Sequence, residues 1–369
     1  MAIGGMAVGG RGRPSRREKL RRALLVGLAL SLLVVVVLAT AVGSVRIPPL
    51  EVPRAVWDAL TTHGPAATSP PDRREIYQAI VTMIRLPRAV LAALNGAALA
   101  VAGAAFQGVF HNPLADPYVL GASSGAALGA AAAMVAKLPF PGLGIGLVPA
   151  SAFVGALLAV FLAYRLARRA GGASPLALLL AGVVVGSCAS AVLSLIIYFS
   201  DEHLRQIMFW LMGGFGGATW KAVAVALPYM AVGGALVFKR FRELNALLLG
   251  DETAQGLGVD SERARRYLVV GASLLTAAAV ATSGPIGFVG LVVPHLIRAI
   301  IGADHWYLLP SSAMAGAILM VGADTLARTV IAPVELPVGI VTALCGGPFF
   351  LWILGRDRHL DSSRGKGRA

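Results

Sequence analysis

Charge is scarce in this chain. Only 14% of its 369 residues are Asp, Glu, Lys or Arg, where a soluble globular domain carries about a quarter. Acidic residues are the scarcer sign, 18 against 32 basic ones, leaving a net charge of +14. Aromatic residues make up 7%. With 57% hydrophobic residues and a mean hydropathy of +0.76, this composition excludes an ordinary soluble domain and points to many membrane spans. Ten-residue segments of alternating polarity are missing, which argues against a transmembrane barrel. There are two cysteines, Cys188 and Cys345, each inside an apolar run. They read as small buried hydrophobes, not as a redox or metal pair.

Catalytic signatures are missing too. No G-x-x-x-x-G-K-[ST] loop exists; the one Gly-Lys pair is Gly365-Lys366, followed by another glycine. If ATP powers this protein, a different chain hydrolyses it. His111, His295 and His305 lack ligand spacing of the H-E-x-x-H kind, so no metal is expected. Asp304-His305 has no serine or cysteine at a nucleophile elbow, which disfavours a membrane hydrolase. No catalytic residue and no cofactor is therefore expected. The basic residues cluster between apolar runs and not on one surface, so nucleic acid is not an expected partner.

What is abundant is small residues, 44 of them glycine. The stretch from Arg85 to Ala133 organises the chain as two apolar helices joined by the polar turn HNPLADP. Small residues recur every fourth position, at Gly96, Ala100, Ala104 and Gly108, then at Gly121, Gly125, Gly129 and Ala133. Such stripes let helix backbones approach closely in lipid.

Apolar runs at about 23–43, 86–108, 115–136, 147–167, 175–200, 221–238, 267–283, 286–301, 307–327 and 336–354 give ten crossings. An amphipathic helix near Glu51–Leu60 is expected in the first loop, a turn at Gly142–Gly146, and a half-helix dipping into the membrane at Gln206–Gly217. Residues 1–22 read as a disordered basic tail, 23–355 as the membrane domain and 356–369 as a second tail. A cleaved signal peptide is the competing reading of the first run, which is longer than a usual signal core. Placing 1–22, 165–170, 239–266, Arg298 and 356–369 on one side puts 22 of the 32 Lys and Arg there. Positive charge stays in the cytoplasm, so both termini are expected inside.

Asn95 and Gln107 lie inside a span, where polar groups are costly; each either bonds a neighbouring helix or lines a pathway. Gly284, Pro285, Gly287, Gly290 and Pro294 interrupt another run, as a tight outer turn or as a broken helix beside a route. Asn245–Val259 reads as two short helices in a cytoplasmic loop, with Asp251 capping the second.

RLPR, GAALAVAGAAFQGVFHNPLADP, LGASSGA, LLLGDETAQGLGV, GPIGFVGLVVPHLIR and ELPVGIVTALCGGPFFLWIL stand in this order in the chain. In these motifs the sequence resembles the permeases of ABC importers for iron–siderophore, haem and vitamin B12 (FecCD/BtuC-like), from about Arg46 to Leu354. The resemblance implies an all-α polytopic membrane protein with about ten transmembrane helices in a BtuC-like permease fold. It implies the transmembrane subunit of an ATP-driven importer, working as a homodimer in the bacterial cytoplasmic membrane with two ATPase subunits and one substrate-binding lipoprotein or periplasmic protein.

It also implies site residues. Coupling to the ATPase would fall to about 245–259, with Leu249, Gly250, Asp251, Glu252, Ala254, Gly256, Leu257 and Gly258. Asn112 and Leu114 would narrow the cytoplasmic end of the path. Arg85, Arg88 and Arg328 would pair with acidic residues of the binding protein. Glycines at 256 and 258 are expected where φ is positive or backbones approach closely. The implied substrate is an iron chelate, a ferric siderophore or haem, with vitamin B12 as the alternative. A secondary transporter remains a less favoured class. It would need an acidic residue in mid-span with a partner, and Asp324, the nearest to one, falls near an outer helix end.

Overall fold

The computed structural model describes residues 16–43, 45–61, 73–136, 146–170 and 174–365, with side chains described as far as 351. Its helices, in chain order, are α1 Arg16–Ala41, α2 Glu51–Thr61, α3 Arg73–Ala79, α4 Leu86–Val109, α5 Ala122–Ala136, α6 Leu147–Arg169, α7 Pro175–Tyr198 and α8 Leu204–Leu211. They continue with α9 Trp220–Phe238, α10 Phe241–Leu247, α11 Asp251–Gly256, α12 Ser261–Ser283, α13 Val289–Ile301, α14 His305–Thr329 and α15 Val338–Gly365. Among the described residues there is no strand. Among the described residues seven helices are long and apolar enough to cross a membrane, and α5, α13 and the Val338–Leu351 part of α15 are shorter apolar helices. Together they match the ten expected runs.

Local chemistry sets several helix starts. Ser174, Thr219, Asp260 and Asp304 each accept a backbone N–H from the first turn of the helix that follows, at 2.9–3.2 Å. Pro175 begins α7, where its missing N–H costs nothing.

The core is α4, buried on nearly every side from Ala98 to Val109. It packs against α14, α12, α13 and α9. A Cβ built on Gly96 would lie 2.2 Å from the carbonyl oxygen of Gly316, and one on Gly316 would lie 2.3 Å from that of Gly96. Only glycine at both positions lets α4 and α14 touch backbone to backbone. The second small-residue stripe serves α5 against α6, where Gly125 and Gly155 meet in the same way. The two halves of the expected hairpin thus pack on different neighbours. The reason is the turn: residues 112–121 are non-helical, with Pro113, Pro117 and a left-handed Gly121 (φ 81°), and carry α5 away from α4.

Other boundaries move as well. α5 starts at Ala122, seven residues later than expected, because of that turn. α1 starts at Arg16, inside the expected tail, helped by a Glu18–Arg22 pair one turn apart. The loop before α4 is helical from Arg73, through a π-turn at Ile80–Arg85, so one rod runs from Arg73 to Val109. α15 continues to Gly365, past the expected end at 354. Most of the expected turn at 142–146 lies outside the described residues, as does the chain before residue 16. Cys188 and Cys345 are not buried: each is exposed in an apolar groove, the first among α5, α6 and α7 (about 850 Å3), the second among α13, α14 and α15 (about 600 Å3).

α13 has 13 residues, roughly 20 Å at 1.5 Å per residue, too short to cross the hydrocarbon. Its start lies within the bundle. A Cβ on Gly103 of α4 would overlap the Gly290 carbonyl, and Thr282, at the end of α12, bonds Asn95 of α4. The Gly284–Phe288 break therefore sits beside the middle of α4 and not in an outer turn. It is a broken helix inside the bundle.

Candidate functional site

Three groups of residues stand out: an elbow at one end of the bundle, a turn above it, and a charged cluster at the far end. The elbow is α10–Gly250–α11. Gly250 (φ 95°) opens α11 and Gly258 (φ 82°) follows it, so both need glycine's left-handed freedom. Gly256 does not: it is helical, and a Cβ there would meet nothing within 4 Å. Leu249 and Leu257 project outward, 62% and 64% exposed, and Glu252 is exposed beside them, while Ala254 is fully buried. Gly250 occupies the N-cap of α11. Asp251, expected to cap, instead takes Arg265 of α12 at 2.7 and 2.9 Å. That ion pair ties the elbow to a neighbouring helix instead of closing its own turn.

The turn carries Asn112 and Leu114. Asn112 Oδ1 accepts the Leu114 N–H at 2.9 Å, closing the local turn. Leu114 is 40% exposed. Asp116 accepts the Tyr118 N–H at 2.8 Å, and burial pushes its carboxyl up to about 6. The Tyr118 hydroxyl donates to the Ile286 carbonyl and accepts the Ile286 N–H, both at 3.0 Å. At the turn's other end, the His111 ring bonds the Leu247 carbonyl of α10, with His111 itself at φ 50°. One turn therefore touches both the elbow and the helix break.

Asn95 and Gln107 both bridge helices. Asn95 exchanges bonds with Thr282 at 3.1 and 3.2 Å. Gln107 donates to the Leu291 carbonyl at 3.1 Å and accepts from Arg298 at 2.9 Å.

The far-end arginines turn inward, away from the rim where they were expected to meet a partner. Arg85 is 6% exposed and donates to the carbonyls of Thr40, Ala41 and Val45 at 2.5–3.0 Å. Arg328 donates to those of Ala39 and Val42 at 3.0 and 3.3 Å and to Asp324 at 3.2 Å. Two guanidinium groups thus satisfy the carbonyls that the end of α1 leaves without intrahelical donors. Arg88 binds Asp324 at 2.9–3.1 Å and Glu335 at 2.9 Å. Asp324 is 2% exposed, whereas the Glu335 side chain is 50% exposed. The cost of three arginines here is offset inside the protein.

Among the described residues no group of His, Cys, Asp or Glu could hold a metal. Asn245, Arg265 and Tyr118, which tie the elbow and the turn to the rest of the bundle, were not among the expected site residues. A polar Asn245 between the apolar Leu244 and Ala246 was the one available signal.

Residues 30–356 match the FecCD transport family. The chain belongs to that family. It is 48% identical over 286 residues to the cobalamin import system permease BtuC of Halobacterium salinarum, covering 78% of this chain and 76% of that one. It is 42% identical over 344 residues to the hemin transport system permease HmuU of Yersinia pestis, covering 92% and 97%. It is 36% identical over 340 residues to the Fe(3+)-citrate import system permease YfmE of Bacillus subtilis, again covering 92% and 97%. A solved metal-chelate-type ABC transporter in an inward-facing conformation superposes with a TM-score of 0.78 at 29% identity, covering 91% of this chain and 99% of that one. The chain is thus a multi-pass membrane permease of the ABC importer class.

Proposed function

We propose that this permease forms the substrate path of an ATP-driven importer for a metal chelate, and that ATP is hydrolysed by a separate subunit seated on the α10–α11 elbow. The observation that carries the reading is the elbow itself: two exposed leucines, Leu249 and Leu257, on a short helix pair held to α12 by Asp251–Arg265. The charge bias assigns the elbow end to the cytoplasm, together with both termini. The chain pairs with a second copy of itself, with the path between them. Two ATPase subunits bind below and one binding protein docks at the far end. Nucleotide and binding protein shift the path between two shapes only as far as each prefers one of them.

The arginine cluster lies under the docking face. Arg85 and Arg328 support it from within. Arg88 can reach a partner's carboxylate by exchanging Glu335, the exposed member of the cluster. The Asn112–Leu114 turn narrows the cytoplasmic end of the path.

The substrate is an iron chelate, a ferric siderophore or haem, as the names of the Yersinia and Bacillus relatives support. A corrinoid is the second reading, favoured by the 48% identity to a cobalamin permease. Proteoliposomes holding the permease, its ATPase and its binding protein test both. ATP should drive uptake of one of ferric siderophore, haem or cobalamin. Uptake by the permease alone under a proton or sodium gradient would overturn the ATP-driven reading.

A further inference from the structure

We propose that Asn245 is the positioning residue that fastens the elbow to the membrane bundle, by gripping the first turn of α14. The proposal rests on reading the elbow as the ATPase seat. Asn245 projects from α10 and spends both ends of its amide on α14. Its Nδ2 donates to Asp304 Oδ1 at 3.0 Å. Its Oδ1 accepts the His305 backbone N–H at 2.9 Å and faces His305 Nδ1 at 2.8 Å. The Asp304 carboxylate can only accept, so the amide orientation is fixed, and His305 must carry its proton on Nδ1. Asp304 also caps Trp306 at 3.1 Å and takes Arg21 of α1 at 3.3 Å, while Arg21 donates to the Ile301 carbonyl at 3.0 Å. One amide thus joins α10 to the point where α1, α13 and α14 converge.

Phe241 of α10 also packs against Trp306 in the same turn of α14, with ring centroids 4.9 Å apart. Leu244 and Leu247 are fully buried, but apolar contact permits sliding, whereas the amide fixes a register. α14 is also the helix that meets α4 backbone to backbone at Gly96 and Gly316. Displacing α10 through Asn245 therefore moves a pair of helices locked backbone to backbone, not one side chain.

The test uses the complete transporter in proteoliposomes and reads uptake per ATP hydrolysed, with ATPase copurification as a separate readout. Asn245→Ala should keep copurification and hydrolysis while uptake per ATP falls about tenfold, the order expected for losing a cooperative set of hydrogen bonds. Asn245→Asp alone should be as poor, because it sets a carboxylate against Asp304. The double variant Asn245→Asp/Asp304→Asn reverses amide and carboxylate and restores the link, giving up the Trp306 cap and the charge that pairs with Arg21. It should recover most of the lost coupling, which a generally damaged fold would not do. Parental coupling in Asn245→Ala, loss of copurification in that variant, or a double variant no better than Asn245→Asp would each overturn the proposal. Failure of the underlying reading looks different: the parent protein itself would not hold the ATPase, and Cys replacements at Leu249 and Leu257 would not cross-link to it.

Discussion

Arg88 and Asp324, 236 residues apart in sequence, form a buried ion pair in which two guanidinium nitrogens reach the carboxylate at 2.9–3.1 Å. Arg328 completes the group from the next turn of α14. Asp324→Asn should destabilise the permease by about 3–5 kcal/mol, because it removes the buried carboxylate shared by two guanidinium groups, leaving Arg88 only the exposed Glu335 and Arg328 only backbone carbonyls. Glu335→Gln, which loses an exposed partner, should cost about 1 kcal/mol or less. Thermal unfolding in detergent compares the two. Equal small losses would mean that Asp324 is not the anchor.

The same geometry separates docking from folding. Arg85→Glu and Arg328→Glu place a carboxylate against the carbonyls of α1, so both should lower stability before any docking can be measured. Glu335→Gln leaves those bonds intact and frees one edge of Arg88. If Arg88 serves the binding protein, docking should tighten in this variant at low salt and lose that gain at high salt, as a rim charge pair does. Docking identical to the parent at every salt concentration would remove Arg88 from the interface.

Gly256 and Gly258 now carry different expectations. Gly258→Val forces a β-branched residue to φ 82°, a genuine strain, and should distort the elbow and impair uptake. Gly256→Val meets nothing within the chain, so it should insert and fold like the parent, apart from a helix-propensity change below about 1 kcal/mol. Any uptake defect in Gly256→Val would then report a contact with the ATPase. Normal uptake in Gly258→Val would show that the elbow tolerates distortion and would count against its proposed role.

Much of this architecture was legible in the sequence because it is local. The apolar runs, a turn beginning at HNPLADP and a short glycine-flanked helix pair depend on neighbours within a few residues, and all are present, although the turn runs on to Gly121 and Gly250, not Asp251, caps α11. The bridging roles of Asn95 and Gln107 were also legible, since a polar group in lipid must find a partner. What was not legible depends on contacts between distant segments. The inward turn of Arg85, Arg88 and Arg328 follows from Asp324, Glu335 and the end of α1, and no spacing rule joins residues 40, 88 and 324. The parting of α4 from α5 depends on which glycine stripes face each other, Gly96 with Gly316 and Gly125 with Gly155. The depth of the Gly284–Phe288 break follows from where Tyr118 and Gly103 happen to lie. Hydropathy alone reads that segment as an end of a span.

Leu114 is the better probe of the proposed inner gate. Asn112 uses its side-chain oxygen to close the turn on the Leu114 N–H, so Asn112→Cys would loosen the structure it is meant to report. Leu114 is 40% exposed and makes no such bond with its side chain, so Leu114→Cys leaves the turn in place. His111 and Tyr118 still hold the turn at both sides, through Leu247 and Ile286. If two copies of the turn close the path, Leu114→Cys should cross-link across the dimer in one nucleotide state and block uptake, and reduction should restore uptake. The state dependence matters, since the turn bonds both the elbow and the helix break and should shift when either does. His111→Gly sharpens the test: it keeps the positive φ at no cost but removes the ring that bonds α10. Cross-linking in that variant should lose part of its nucleotide dependence. If Leu114→Cys fails to cross-link in every state, or cross-links equally in all of them without affecting uptake, the turn is a plain helix connection and the gate lies elsewhere.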